Sequence, residues 1–343
     1  MNGRLAWRPV GSELSKTFDE LAKACPESGF MQSSAWATFK RNLGYEVLSL
    51  GLFQEDHLIG FVNGFTFKSR DGAEFLTCPE GPVLDWSEPE LARHALRELT
   101  RYVETNVANV VGVRIQPQLL TPAPRYLKNW SRGPLDITPD ATLFVDLTLD
   151  EAQVLAQMKP KGRYNLRQAQ KHGVEVVART DVSAMADFHS LFQETACRNG
   201  IYAEGLGFFL DLAAALFPSG MAELLLARWN GRLLGGLVVV YFGRRATYLY
   251  GGSTSENRNV MPNYALQWEA VNRARVRGCS EYDFYGIDAA GRQGHLYAGI
   301  SRFKAQWGGN VQTRIGTRDY LFYGRVADEI VDRLMVSTGP KAK

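Results

Sequence analysis

Cysteine is scarce in this chain. Four of its 343 residues are cysteine (Cys25, Cys78, Cys197 and Cys279); they stand far apart, and none belongs to a CxxC pair. Histidine is nearly as rare: the five present form no HxxxH or similar cluster, so no metal site is expected. Long apolar runs are missing too. The longest is about LLGGLVVVYF, residues 233–242, well short of the roughly 20 residues of a membrane span. The N-terminal MNGRLAWRPVGSELSK has neither the apolar stretch nor the small-residue cleavage site of a secretory leader. A cytoplasmic protein with reduced thiols is therefore expected, Cys197 and Cys279 reading as buried small apolar side chains rather than nucleophiles. An excess of one charge is also absent, since 39 Lys and Arg face 36 Asp and Glu, a net charge of +3. The protein as a whole is no polycation, and any nucleic-acid contact has to be local.

What is present is a globular composition, 45% apolar and 22% charged, in a chain long enough for two domains. Residues 12–24 read as a first helix, with Leu14, Phe18 and Leu21 on one face. MQSSAWATFKRNLGYEV follows as a short aromatic helix leading into a strand. EVLSLGLFQEDHLIGFVNGFTF reads as a hairpin turning at Gln54–His57. SEPE at residues 87–90 predicts a capping box, with Ser87 as cap, Pro89 in the first turn and Glu90 three residues on. A helical stripe through Leu91, Ala95, Leu96, Leu99, Tyr102 and Val103 leads to a buried strand, VVGVRIQP.

The second half repeats this order. AELLLARWNGRLLGGLVVVYF is a hairpin turning at Trp229–Arg232, ATYLYGGS a strand, PNYALQWEAVNRARVRG a helix stopped at Gly278, and EYDFYGI the next strand. The two hairpins centre on Gly60 and Gly235, and the helix–strand pairs keep that offset, as a duplicated mixed α/β unit would. Residues 318–336 read as an amphipathic stretch returning to the body, and 337–343 as a frayed end.

One segment breaks the charge balance. MKPKGRYNLRQAQKHG, residues 158–173, holds Lys159, Lys161, Arg163, Arg167, Lys171 and His172 and no acid. As a helix it sets Arg163, Arg167 and Lys171 in one line at i, i+4, i+8, with Leu166 and Ala169 free to dock another face. Two readings stay open, a solvated basic face and a seat for a polyanion.

Five blocks, in order, resemble the Fem-type (FemABX) peptidyltransferases: QSSAWATFK; the strand–basic helix block LFVDLTLDEAQVLAQMKPKGRYNLRQAQKHGVEV; TYLYGGS; YDFYGI; and GISRFKAQWGG. The resemblance spans about residues 28–325. It implies an α/β fold of two tandem acetyltransferase-like (GNAT-like) subdomains, drawn here as residues 1–148 with 318–343 and residues 149–317. It also implies transfer of an amino acid from aminoacyl-tRNA to the stem peptide of a peptidoglycan precursor, either UDP-MurNAc-peptide or lipid II. The short passage GIYAEGLGFFLDLAAALFPSGMAEL leaves no room for the family's helical arm, so a short-form member is expected.

By the same resemblance Lys304 is the catalytic candidate, the cation that stabilises the oxyanion of ester aminolysis. Lys40 matches a lysine on the precursor's diphosphate. Trp36, in the same element, and Tyr250 are further substrate-contact candidates. Lys159, Lys161, Arg163, Arg167 and Lys171 are candidates for tRNA. The chain departs from the family twice. It reads RIQP where a relative carries an acid, and Gln116 cannot act as a base; NGIYAEG lacks an arginine used on the precursor. No cofactor is expected, and neither VLDWSEPEL nor ENRNVMPNYAL has the glycines that cradle a coenzyme A pyrophosphate. A monomer without a membrane span is expected, with any membrane contact peripheral. The alternatives are an acyl-CoA-dependent N-acyltransferase on the duplicated fold and a non-catalytic RNA- or envelope-associated scaffold.

Overall fold

The computed structural model describes residues 4–68, 73–291 and 298–322. Two compact units divide the chain: Met1–Asp140 with Thr313–Lys343, and Ala141–Gln312.

The first unit runs β1 (Leu5–Pro9), α1 (Ser15–Ala24), α2 (Ser34–Asn42), β2 (Val47–Gln54), β3 (His57–Lys68), β4 (Glu74–Pro79), α3 (Pro89–Asn106), β5 (Gly112–Gln116) and β6 (Ser131–Arg132). The second runs β7 (Ala141–Asp146), α4 (Glu151–Gln157), α5 (Pro160–Lys171), β8 (Glu175–Arg179), α6 (Met185–Asn199), α7 (Leu206–Leu216), β9 (Ala222–Trp229), β10 (Arg232–Phe242), β11 (Arg245–Ser253), α8 (Pro262–Val276), β12 (Glu281–Gly286), α9 (Ala298–Lys304) and β13 (Asn310–Thr313). Strand β14 (Arg318–Leu321) then returns to the first sheet.

Among the described residues each sheet has seven strands. Their orders are β1-β2-β3-β4-β5-β14-β6 and β13-β7-β12-β11-β10-β9-β8. The two share one plan. In the first, β2, β3 and β4 pair antiparallel, β4 pairs parallel with β5, and α3 lies between those two in sequence. In the second, β9, β10 and β11 pair antiparallel, β11 pairs parallel with β12, and α8 stands where α3 did. The internal repeat read from the two hairpins is thus a repeat of topology. The run of apolar residues in β10 follows from its central place, since Leu234 and Leu237–Phe242 are all buried. Helix α8 buries Leu266, Trp268, Ala270, Val271 and Ala274 against that sheet.

Several local expectations are corrected. Ser87 is not the cap of α3. Its hydroxyl donates to Asp85 at 2.6 Å, and Glu88 occupies the cap position ahead of Pro89. The segment 12–14 is a separate 3-10 turn before α1. Cys197 is exposed rather than buried, whereas Cys279 is buried and its thiol is pushed up to about 11 by burial. Strand β7, drawn with the first subdomain on sequence, pairs with β12 and belongs to the second sheet. Of the C-terminal stretch expected to fold back, residues 318–321 form β14; residues 323–343 lie outside the described residues.

Candidate functional site

In the second unit the parallel pairing of β11 with β12 ends at Thr247–Asp283. Beyond that level both strands carry an extra residue. On β11 the partners of Val238 and Val239 are Tyr250 and Tyr248, which leaves Leu249 bulged. On β12 the register to β7 slips between Asp283 and Gly286, and Tyr285 sits at φ 59°. A bulky side chain in the left-handed region is a strained arrangement, and such bulges gather at functional sites. The turn is held by Asp283, buried, which accepts from the Tyr285 amide at 2.7 Å and from the Thr142 hydroxyl.

Lys304, the last residue of α9, enters at this level. It is 5% exposed, its ammonium donates to the Gly286 carbonyl at 2.7 Å, and it stands 5.5 Å from the centre of the Tyr248 ring. Burial pulls its pKa down from 10.5 to about 7, and the Asp283 carboxylate opposes that fall. Burial likewise pushes the Tyr248 phenol up to about 12, which keeps its proton in place at neutral pH. A lysine at the end of a helix is ordinarily an exposed surface cation. Here the ammonium is buried instead. Tyr248 and Asp283 were missed, because nothing in the sequence spacing places them beside Lys304.

Tyr250 lies on the same strand but in different company. Its ring meets Phe192, Phe208 and Phe209 edge-on at 5.9, 6.0 and 5.3 Å. Burial, and then the Glu204 carboxylate, push its phenol well above the usual range. As a residue it is half-buried.

The basic segment is the helix α5. Pro160 fills its first turn, Asn165, Leu166 and Ala169 are buried, and Lys159, Lys161, Arg167 and Lys171 are exposed. Arg163 departs from the expected stripe. It is half-buried, and its guanidinium donates to the carbonyls of Met158 and, at 3.4 Å, Ala156, which finish α4. Those carbonyls are left without intrahelical donors by the extended backbone at Met158, and a cation at a helix C-terminus suits them. Among the described residues, none of the five cations forms an ion pair. The helix is tied to the lysine site through residues 305–307. The Lys159 amide donates to the Gln306 carbonyl at 2.9 Å, and a Cβ on Gly162 would stand 2.5 Å from that same oxygen.

In the first unit Lys40 lies in the last turn of α2. Its ammonium lies 4.7 Å from the Phe65 ring centre, 4.9 Å from Tyr45, 5.6 Å from Trp36 and 5.7 Å from Phe39. Trp36 itself is buried, against Phe30 and Phe39. Its ring lies beneath the Lys40 ammonium and helps to seat it. Gln116 is buried and saturated. Its amide donates to the Thr138 carbonyl at 2.6 Å and accepts from the Ile137 and Thr138 amides and the Thr317 hydroxyl. The position needs a group that both donates and accepts, which a carboxylate does not do. Among the described residues no group of three or more His, Cys, Asp or Glu could hold a metal ion, and no helix is long and apolar enough to cross a membrane.

Comparison with known proteins fits both units. The FemAB family matches residues 14–125, which include Trp36 and Lys40. Along 88% of its length the chain is 22% identical to a protein of Staphylococcus saprophyticus named lipid II:glycine glycyltransferase, covering 90% of that protein. The chain is a transferase that resembles the Fem family. Its second unit matches the acetyltransferase (GNAT) domain over residues 160–305, from α5 through Lys304. A crystal structure of FemX superposes with a TM-score of 0.83 at 19% identity, covering 96% of this chain and 99% of that one. A tandem GNAT protein from the clavulanic acid pathway superposes at 0.51. The chain therefore has the tandem GNAT-like fold. The stretch aligned with the staphylococcal protein is 379 positions long, more than the 343 residues here, so that relative carries insertions this chain lacks. Between α7 and β9 the chain passes directly, through residues 217–221.

Proposed function

We propose that this protein transfers an amino acid from aminoacyl-tRNA to an amine of the stem peptide of a peptidoglycan precursor. The observation that carries the reading is a buried ammonium, Lys304, anchored on the Gly286 carbonyl and joined through residues 305–307 to an acid-free basic helix. In the reaction the acceptor nitrogen attacks the ester carbonyl carbon. A C–N bond forms, the carbonyl oxygen takes up negative charge, and the bond to the ribose oxygen then breaks. The nitrogen loses a proton and the ribose hydroxyl gains one. Lys304 is assigned to the oxyanion, where a fixed cation in a dry site is most effective. The exposed cations of α5 are assigned to the tRNA backbone, Lys40 to the diphosphate of the precursor and Tyr250 to its peptide. The relatives' names favour glycine as donor and lipid II as acceptor for the first assay. The reaction belongs to the cytoplasmic side of the membrane, where charged tRNA is found.

The GNAT match gives acyl-CoA transfer a specific claim, and the loop before α8 speaks against it. In residues 257–262 the Val260 and Met261 amides are spent on local turns to Asn257 and Arg258. Pro262 has no amide hydrogen to offer a pyrophosphate. The test is to incubate the protein with mixed charged tRNAs and with acetyl-CoA, each beside lipid-linked and soluble precursor, and to weigh the products. A gain of one amino-acid residue with charged tRNA alone is expected. An acetyl gain, or no gain with either donor, overturns the proposal.

A further inference from the structure

The exposed face of α5 is not centred where the cationic stripe was drawn. With Gly162, Asn165, Leu166 and Ala169 buried and Arg163 turned to α4, the residue at the middle of the outer face is Tyr164. Its side chain is 58% exposed. Lys161 precedes it by three residues, Arg167 follows by three and Lys171 by seven, the spacings that put neighbours on one helix face. Among the described residues the Tyr164 hydroxyl makes no hydrogen bond, and no acid pairs with the three cations around it. A single exposed aromatic is ordinary. An exposed aromatic ringed by unpaired cations is the pairing that single-stranded nucleic acid requires: charges that follow the backbone, and a flat ring on which a base can stack.

We propose that Tyr164 stacks on an unpaired base of the bound RNA while Lys161, Arg167 and Lys171 hold the phosphates on either side. This inference rests on the reading of α5 as the tRNA face and adds to it a contact with a base. Because every base has a flat face, the contact is indifferent to sequence and selects for an unpaired strand. The 3′ end of a tRNA is unpaired, and it carries the ester. A ring at this point would therefore hold the strand near its reactive end, in the same unit as Lys304.

The test measures binding of full-length protein to three probes: an intact uncharged tRNA, the same tRNA trimmed of its unpaired 3′ nucleotides, and vesicles rich in an anionic phospholipid. The variants are Tyr164→Ala, Tyr164→Phe and the triple change of Lys161, Arg167 and Lys171 to Gln. Tyr164→Ala is expected to weaken intact tRNA roughly 5- to 150-fold, the scale for one stacked base. It should leave the trimmed tRNA and the salt slope unchanged, and Tyr164→Phe should bind like wild type. The triple variant should weaken both RNAs and flatten the salt slope by roughly two to three units. If the triple variant weakens binding and Tyr164→Ala does not, the stacking contact is wrong and the phosphate face stands. Equal loss on intact and trimmed tRNA also overturns stacking. If wild type binds neither RNA, or the triple variant binds both as wild type does, the reading of α5 falls and this inference with it. Loss of vesicle binding without loss of tRNA binding assigns the face to membrane and overturns the proposal.

Discussion

Lys304 titrates near neutrality because it is almost wholly buried, and the Asp283 carboxylate only partly restores the charged form. Three consequences follow for a single side chain. Removing the ammonium by Lys304→Ala should lower turnover roughly 10²-fold or more, the scale for one oxyanion donor, with little change in precursor KM. If the cation is the active form, the wild-type rate should also fall as pH rises through about 7. The acceptor amine must shed its proton, which supplies a rising limb on the acid side. A rate that keeps climbing well above neutrality would show that the charge on Lys304 is not used. The sign for stability is the reverse. An unfolded lysine keeps its proton up to about 10.5, the folded one only to about 7, so between those values the unfolded chain binds more protons and stability rises with pH. Lys304→Met should be more stable than wild type below that window and lose its advantage across it, as denaturant titration at several pH values would reveal. Lys40 belongs to the first unit. Lys40→Ala should raise precursor KM and leave tRNA binding intact, and a fall in tRNA binding would mean that the two substrates have been assigned to the wrong units.

At the scale of elements, the helix α5 and the lysine site share a joint at Gln306. Gly162 is there because its missing Cβ makes room for the Gln306 carbonyl, 2.5 Å from where that atom would stand. Alanine is favoured over glycine inside a helix by roughly 1 kcal/mol, so Gly162→Ala would stabilise α5 if nothing lay across from it. The contact predicts the opposite: a lower melting temperature, a lower kcat, and a displaced alkaline limb in the pH–rate profile as Lys304 shifts. A variant as active and stable as wild type, with the same profile, would show that the joint is slack. The sequence pointed to α5 through the spacing of its cations, with Leu166 and Ala169 on another face, and to both hairpins through polar turns between apolar runs. It did not reveal the bulges at Leu249 and Tyr285, since an extra residue leaves no mark on a pattern of period two until the partner strand is known. Nor did it show that Arg163 would cap α4, because that depends on the extended backbone at Met158 breaking one helix from the next. Lys304, Lys40 and Tyr250 were found by resemblance to a family, and nothing in their local spacing marks them. Gln116 looked like a lost base, and its four hydrogen bonds explain it as a clamp.

At the scale of the whole molecule, the first unit is made of two separate pieces of chain. The chain leaves it after Asp140 and comes back at Thr313. The returning strand, β14, does not lie on an edge. It is inserted between β5 and β6, with Arg318–Leu321 paired to Ile115–Gly112 and Arg318–Asp319 paired to Arg132–Ser131. One buried ion pair fastens it. The Asp319 carboxylate takes two hydrogen bonds from Arg114, both 2.7 Å, and the Arg114 guanidinium lies 4.4 Å from the centre of the Phe75 ring. Both side chains are under a tenth exposed. Removing one partner from such a pair leaves a charge buried without compensation, at a cost of roughly 3–5 kcal/mol. Asp319→Ala should therefore destabilise the first unit selectively. In thermal unfolding, the transition that exposes Trp7, Trp86 and Trp130, all core residues of this unit, should move down, while that of the second unit should hardly change. The geometry also predicts a rescue. Replacing both partners with apolar residues of similar size, Arg114→Met with Asp319→Leu, should recover most of the loss, because the pair's favourable energy is largely cancelled by the desolvation of its charges. If the double variant is as unstable as the single one, the fastening depends on the hydrogen-bond geometry of the pair rather than on avoiding a lone buried charge. If Asp319→Ala leaves the first transition where it was, the returning strand is held by its ladder and core contacts alone.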